Sequence, residues 1–267
     1  MAEKNWLETL PKVQLHHHLD GAVRAKTLWD LQQNLGGGNF SSLEELSSSL
    51  CAKGASSLVE FLSRFELTLG LFCRARSEMP RHEWIQFLER IGRETAEDLH
   101  VQGCVYAETR FCPQLFFKDK TSIDEVYCAT MAIVRGIQRY VEGCETRFVV
   151  NVILCSLWDH PEWTGEVVEI AKRARNAISC LKGSPKEVQI VGVDIAGNEY
   201  AKEFNDPLHA TAFQRAESLE IPRTVHAGEA TSSISRAINE LRANRIGHGY
   251  HACKDVEIQQ LLRSKGV

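Results

Sequence analysis

The sequence predicts an α/β fold with parallel strands, arranged as an α/β barrel or a doubly wound sheet. Short apolar runs alternate with stretches of helical period along almost the whole chain. Several of those runs are apolar nearly throughout, as strands buried on both faces are. Helical stretches fall between successive runs, so each strand re-enters the sheet in the same direction through a crossover helix.

In chain order, the strands are expected at Val13–Leu19, Cys104–Arg110, Phe148–Cys155, Val188–Ile195, Arg223–Val225 and Arg245–Gly247. Trp84, Phe87, Leu88, Ile91, Thr95 and Leu99 recur at three- and four-residue steps before the second strand. Ile123, Val126, Tyr127, Ile133, Val134, Ile137 and Val141 do so before the third, and Val167, Ile170, Ala171, Ala174 and Ile178 before the fourth. Leu208, Ala212, Phe213, Ala216 and Leu219 precede the fifth, and Ile234, Ala237, Ile238 and Leu241 the sixth. Val256, Gln259, Leu261 and Leu262 follow it.

The first interval breaks the rhythm. It holds 84 residues between Leu19 and Cys104, where a βαβ unit needs roughly 30 in all. Gly36–Gly38 and the serines Ser41, Ser42 and Ser47–Ser49 read as loop, and Leu58, Phe61, Leu62, Phe65, Leu69 and Phe72 as one amphipathic helix. The insertion lies on the side where α/β enzymes keep their active sites, so it is read as a lid. With no repeat, low-complexity tract or strong linker, residues 1–267 are expected to form a single domain.

Composition narrows the function. The chain has 267 residues, 43% hydrophobic and 25% charged, which is ordinary for a folded protein. Its 31 basic and 35 acidic residues leave a net charge of -4, against a main role in gripping nucleic acid or an anionic membrane. No secretory leader or membrane-spanning run is read in it. The nine cysteines, Cys180 among them, are scattered without C-x-x-C spacing, as expected of reduced thiols in the cytoplasm.

The histidines carry the chemistry. In Lys12–Gly21 the strand period puts His16, His18 and Asp20 on one face. Val13, Leu15, His17 and Leu19 take the other, which suits contact with surrounding helices. Two imidazoles two residues apart on one face can take adjacent positions on one metal ion. His226, followed by Glu229, and His248, flanked by Gly247 and Gly249, end the fifth and sixth strands. Histidines at the C-terminal ends of strands one, five and six converge on the mouth of a closed barrel. Rival motifs fail: no phosphate-binding G-x-x-x-x-G-K-S/T, no H-E-x-x-H, and no H-x-E with P-C-x-x-C occurs. Gly247–Ala252 formally fits a dinucleotide fingerprint, but it carries two histidines and no acidic residue lies about 20 positions on.

Taken together, Lys12–Ala22, Val105–Leu115, Val191–Glu199, Thr224–Glu229 and Arg245–His251 resemble the adenosine deaminase family in order and spacing. The resemblance implies a zinc hydrolase on a (β/α)8 TIM barrel with one Zn²⁺ per chain, acting on adenosine and 2′-deoxyadenosine. It implies His16, His18 and His226 as zinc ligands, and Asp20 with His18 near the ribose 5′-hydroxyl. Gly197 would offer its backbone N–H to purine N3, Glu229 would protonate N1, and His248 would orient and help deprotonate the attacking water. The partner implied is a small purine nucleoside, with no nucleic acid and no membrane insertion.

The family pattern also has eight strands and an Asp-Asp pair after the eighth. This chain offers about six βα units and no such pair before Val267, so a truncated barrel with impaired turnover is expected. His17 and Asn198 depart from the pattern without touching the chemistry. A deaminase of N6-substituted adenosine monophosphate is the main alternative, for which Lys53, Arg64, Arg74, Arg76 and Arg81 near the lid could form a phosphate pocket. A non-catalytic binding product is the other, and a secreted growth-factor-like relative fits less well.

Overall fold

The computed structural model describes Trp6 and residues 10–117, 121–179 and 188–267, so Cys180 lies outside the described residues. Six strands follow in order: Lys12–His18 (β1), Cys104–Phe111 (β2), Val149–Leu157 (β3), Ile190–Ala196 (β4), Thr224–Ala227 (β5) and Arg245–His248 (β6). The expected strands are all present, with no end displaced by more than two residues. The displacement matters at β5 and β6, whose pairing runs on to include His226 and His248.

All ladders are parallel. β1 to β4 form one sheet in sequence order, and β5 pairs with β6 in a second. The sheets meet where Val193 bridges Arg223 and its N–H donates to the Pro222 carbonyl at 2.9 Å. Register aligns His18 with Arg110, Cys155 with Asp194, and His226 with Gly247, which brings the chemistry-bearing ends to one rim.

Between β1 and β2 lie five helices, Ala25–Asn34 (α1), Leu43–Leu50 (α2), Leu58–Ser63 (α3), Phe65–Glu78 (α4) and Arg81–Val101 (α5). Two expectations are corrected here. Ser47–Ser49 are helical, because Ser42 caps α2 by accepting the Glu45 N–H and Glu44 and Glu45 favour its first turn. The single helix expected over Leu58–Phe72 is two, meeting at Arg64, which ends one and caps the next.

The remaining helices are Ile123–Gly143 (α6), Pro161–Ser179 (α7), Pro207–Ser218 (α8), Ile234–Asn239 (α9) and Val256–Lys265 (α10). The apolar stripes of α5, α6 and α7 are buried as their period requires. Val256 and Leu208 are not, being 65% and 50% exposed. The outward face of β1 also departs from expectation: Val13 is 61% and Leu15 41% exposed. Local alternation sets which way these side chains point, but a covering helix has to come from elsewhere in the chain.

Helices α5 and α6 approach through two glycines. A Cβ on Gly92 would stand 2.2 Å from the Ile133 carbonyl oxygen, and one on Gly136 would stand 2.0 Å from that of Glu89. Backbone cannot retreat as a side chain can. Gly136→Ala should therefore destabilise the fold by about 1–3 kcal/mol, overpacking outweighing alanine's helix preference of roughly 1 kcal/mol. Urea unfolding of the two proteins checks this, and equal midpoints would refute it.

Candidate metal centre and active site

Three imidazoles converge at the rim. The Nε2 atoms of His16 and His226 are 2.9 Å apart, those of His18 and His226 3.0 Å, and those of His16 and His18 3.3 Å. The period of two along β1 presents His16 and His18 together, and β5 delivers His226, 3% exposed, from across the rim. Burial, then the neighbouring His226, pushes His16 down to about 3 and His18 down to about 2, so both rings are neutral near pH 7. Neutral rings with converging ring nitrogens suit a shared cation.

The far side of His226 is fixed as well. Its Nδ1 donates to Asp194, 3.0 Å from Oδ2 and 3.2 Å from Oδ1, which leaves Nε2 as the lone-pair nitrogen. Burial alone would raise the Asp194 carboxyl, but His226 and Arg110 outweigh it and hold it well below the ordinary carboxylate range. Arg110, 1% exposed, pairs with Asp194 and donates to the Leu15 carbonyl at 2.5 Å. Arg110 thus ties β1, β2 and β4 together beneath the histidines.

His248 joins more loosely. Its ring lies 4.6 Å from that of His16 and 5.1 Å from that of His226, centre to centre. Nitrogens of His16, His226 and His248 can also be grouped, within 4.8 Å. The shorter spacings favour the His16–His18–His226 trio, since His248 Nε2 faces Glu229 Oε2 at 3.3 Å. Its φ of +69° is left-handed, a conformation costing a non-glycine residue about 1–3 kcal/mol and concentrated at functional sites. Gly247 supplies the clearance, since a Cβ there would lie 3.1 Å from His16 Cε1 and 3.5 Å from His226 Nδ1.

These groups line a cavity of about 700 Å³. Glu229 reaches it half-buried, and burial raises its carboxyl, with Glu199 adding to the effect against His226. Asp20 lies on the same wall, its Oδ2 accepting the Cys112 N–H at 3.3 Å and its buried Oδ1 standing 4.0 Å from His18 Nδ1 without a hydrogen bond. Burial pushes Asp20 up to about 6. Gly197, at φ +95°, directly follows β4 and also lines the cavity. The inserted helices α3 and α4 contribute Leu58, Phe61, Leu62, Phe65 and Leu69, so the insertion does cover the cavity. His17 stays outside it, bonded through Nδ1 to Thr109 Oγ1 at 2.8 Å.

Known proteins resemble this chain in sequence and in fold. The adenosine deaminase family model matches residues 11–267. The chain belongs to the adenosine deaminase family. Curated adenosine deaminases from Gallus gallus and Clostridium acetobutylicum are 31% and 33% identical to it, over 96% and 97% of this chain and 68% and 70% of theirs. Solved structures share the fold: an Arabidopsis N6-mAMP deaminase aligns with a TM-score of 0.74 at 24% identity, over 98% of this chain and 72% of its own. An amidohydrolase from Burkholderia ambifaria solved with bound Zn aligns with a TM-score of 0.74 at 22% identity, over 98% and 65%. Family membership makes the chain an enzyme of the deaminating, metal-dependent kind, whose members generally use zinc.

Every site residue expected from the deaminase resemblance lines the one cavity: His16, His18, Asp20, Gly197, His226, Glu229 and His248. Sequence reasoning passed over Asp194, Arg110 and Glu199. A carboxylate inside Val193-Asp194-Ile195 and an arginine inside Thr109-Arg110-Phe111 were signals, because a charge in a buried strand needs a partner. The lid cations do not gather at the cavity. Arg74 pairs with Glu78 and donates to the Leu35 carbonyl at 2.5 Å, and Arg76 pairs with Glu125. Among the described residues, neither they nor Lys53, Arg64 and Arg81 line it.

Proposed function

We propose that this chain catalyses the zinc-dependent hydrolytic deamination of adenosine and 2′-deoxyadenosine, as a single catalytic domain over residues 1–267. The observation that carries the proposal is the trio of imidazole nitrogens 2.9–3.3 Å apart beside Glu229, within one covered cavity. His16, His18 and His226 would hold one Zn²⁺. When bound, the ion supplies Lewis acidity that lets a water lose its proton near pH 7 rather than near 16.

The chain's own residues do the rest. As the water oxygen bonds to C6, purine N1 must take up a proton, and Glu229 is the carboxyl placed to give it. That role needs the protonated acid when substrate arrives, which its raised pKa favours. His248, a neutral base pushed down to about 4 mainly by burial, orients the water and takes its proton. The proton held by His248 then passes to the amino group as the C6–N6 bond breaks, so ammonia leaves, and the hydroxyl proton returns to Glu229 as the C6 carbonyl of inosine forms. The Gly197 N–H addresses N3, and Asp20 with His18 the ribose 5′-hydroxyl. The apolar lid side chains exclude bulk water. A cytoplasmic setting fits the scattered thiols, and no helix among the described residues is long and apolar enough to cross a membrane.

The test is ammonia release from adenosine with zinc measured in the same preparation. About one zinc per chain is expected, with turnover lost on chelation and restored by Zn²⁺. Undiminished turnover after complete metal removal would overturn the proposal, and no turnover with zinc bound would favour the non-catalytic reading.

The charge of the cavity favours adenosine over the phosphorylated alternative. Besides the protonated Glu229, Asp20, Glu66 and Asp159 line it, and among the described residues no lysine or arginine does. Setting a phosphate against like charge costs several kcal/mol. Adenosine should therefore exceed N6-methyl-AMP in kcat/KM by about 100-fold or more. Equal or reversed values would assign the cavity to the nucleotide.

A further inference from the structure

One buried carboxylate outside the proposed chemistry gathers the loop that carries Glu229. Glu199, 3% exposed, follows β4 two residues after Gly197. Its Oε2 accepts the Ala230 N–H at 2.9 Å, the Thr231 N–H at 2.7 Å and the Thr231 hydroxyl at 3.1 Å. Its Oε1 accepts the Ser233 hydroxyl at 2.8 Å, and that hydroxyl accepts the Gly228 N–H at 2.8 Å. Tyr200 closes the same clamp from outside, donating to the Ala230 carbonyl at 3.0 Å. The backbone is therefore pinned on both sides of Glu229, at Gly228 and at Ala230, with nothing holding Glu229's own main chain in that set.

We infer that Glu199 is a positioning residue that fixes the proton donor Glu229 at the cavity, and that it couples this donor to Gly197 through one short segment. Hydrogen bonds to a carboxylate are stronger than those to a neutral acceptor, and one anion here satisfies four donors. Two of these are backbone N–H groups of a half-buried loop that would otherwise lose their protein partner. A free backbone on either side of Glu229 would let its carboxyl wander by an ångström or more from the reacting nitrogen, and such misplacement costs about 100-fold in rate. The segment from Gly197 to Tyr200 thus addresses the purine at one end and its proton source at the other.

The inference rests on the deamination reading, and two readouts separate their failures. In the zinc-loaded enzyme, Glu199→Ala should lower kcat about 100-fold with KM changed by less than about 3-fold. Glu199→Gln should restore kcat to within about 3-fold, because its amide oxygen can keep the two backbone N–H donors and the Ser233 hydroxyl can turn to accept from its amide N–H. A merely structural role would instead lower the melting temperature and the active fraction together, with no rescue by glutamine. Hydrogen exchange needs no turnover. The Gly228, Ala230 and Thr231 amides should lose about tenfold or more of their protection in Glu199→Ala and keep it in Glu199→Gln. Unchanged protection overturns the clamp even if the chain proves inactive, and an inactive wild type with the predicted exchange sinks only the deamination reading. If Glu199→Ala does not fold, Tyr200→Phe decides: it cuts the clamp at an exposed hydroxyl and should lower kcat about 3-fold. A wild-type kcat and unaltered Ala230 exchange in that variant would overturn the inference.

Discussion

Glu229→Gln should lower kcat/KM for adenosine by about 10²–10⁴-fold while leaving zinc content and melting temperature unchanged. That range corresponds to about 2.7–5.4 kcal/mol of transition-state stabilisation. The amide keeps the shape and the contact with His248 but has no acidic proton to give to N1. The loss should therefore fall on kcat, with KM little altered. The pH profile supplies a second check. Because burial raises the Glu229 carboxyl, the active protonated form persists to higher pH than for an exposed glutamate. Wild-type kcat/KM should fall as pH rises through that raised value, and the variant should lose this limb. A glutamine enzyme with full activity, or an unchanged limb, would remove Glu229 from the role of proton donor.

The parts of the site that were legible in the sequence are those set by local geometry. His16 and His18 share a face because strands repeat every two residues, and their Nε2 atoms do meet. His226 and His248 stand at the ends of short strands bounded by glycine, which marks a strand terminus without any knowledge of the fold. What was not legible depends on register and on distant packing. Asp194 meets His226 across 32 positions of sequence, which requires β4 to lie beside β5. The Glu199 clamp spans a similar distance and takes half of its donors from the backbone, which leave no trace in a residue pattern. The left-handed φ of His248 is likewise unreadable, since non-glycine residues adopt it only where their surroundings impose it.

The same division explains the fold. Stripes on α5, α6 and α7 specified burial because each helix carries its whole apolar face within its own sequence. The inserted helices did not read as clearly. Serine has modest helix propensity, and the stretch that became α2 is held by the Ser42 cap and by burial of Leu46. The outward face of β1 failed for the opposite reason: its alternation is regular, yet Val13 and Leu15 remain exposed. A pattern states what a side chain could be buried against and does not supply the neighbour.

Asp194→Asn should weaken zinc binding by about 10–100-fold and lower stability by up to about 3–5 kcal/mol. The two effects share one cause, since Asp194 serves His226 and Arg110 at once. Without the carboxylate, the Nδ1 proton of His226 loses its charged acceptor, so the ring becomes a poorer ligand and is less firmly oriented. Arg110, 1% exposed, keeps its charge with no counter-charge beside it, and its Nε already has no hydrogen-bond partner. Competition for zinc with a chromophoric chelator measures the first effect, and urea unfolding of the metal-free proteins measures the second. Metal-free comparison matters, because zinc binding to the folded state alone would otherwise add its own stabilisation to the wild type. Arg110→Met in the same background distinguishes the causes. Removing the orphaned charge should recover stability while zinc affinity stays low, because methionine relieves Arg110's desolvation and does nothing for Nδ1 of His226. Recovery of both together would mean that Asp194 acts on the metal centre only by holding β1, β2 and β4 in place. Recovery of neither would place the damage in the register of the sheet itself.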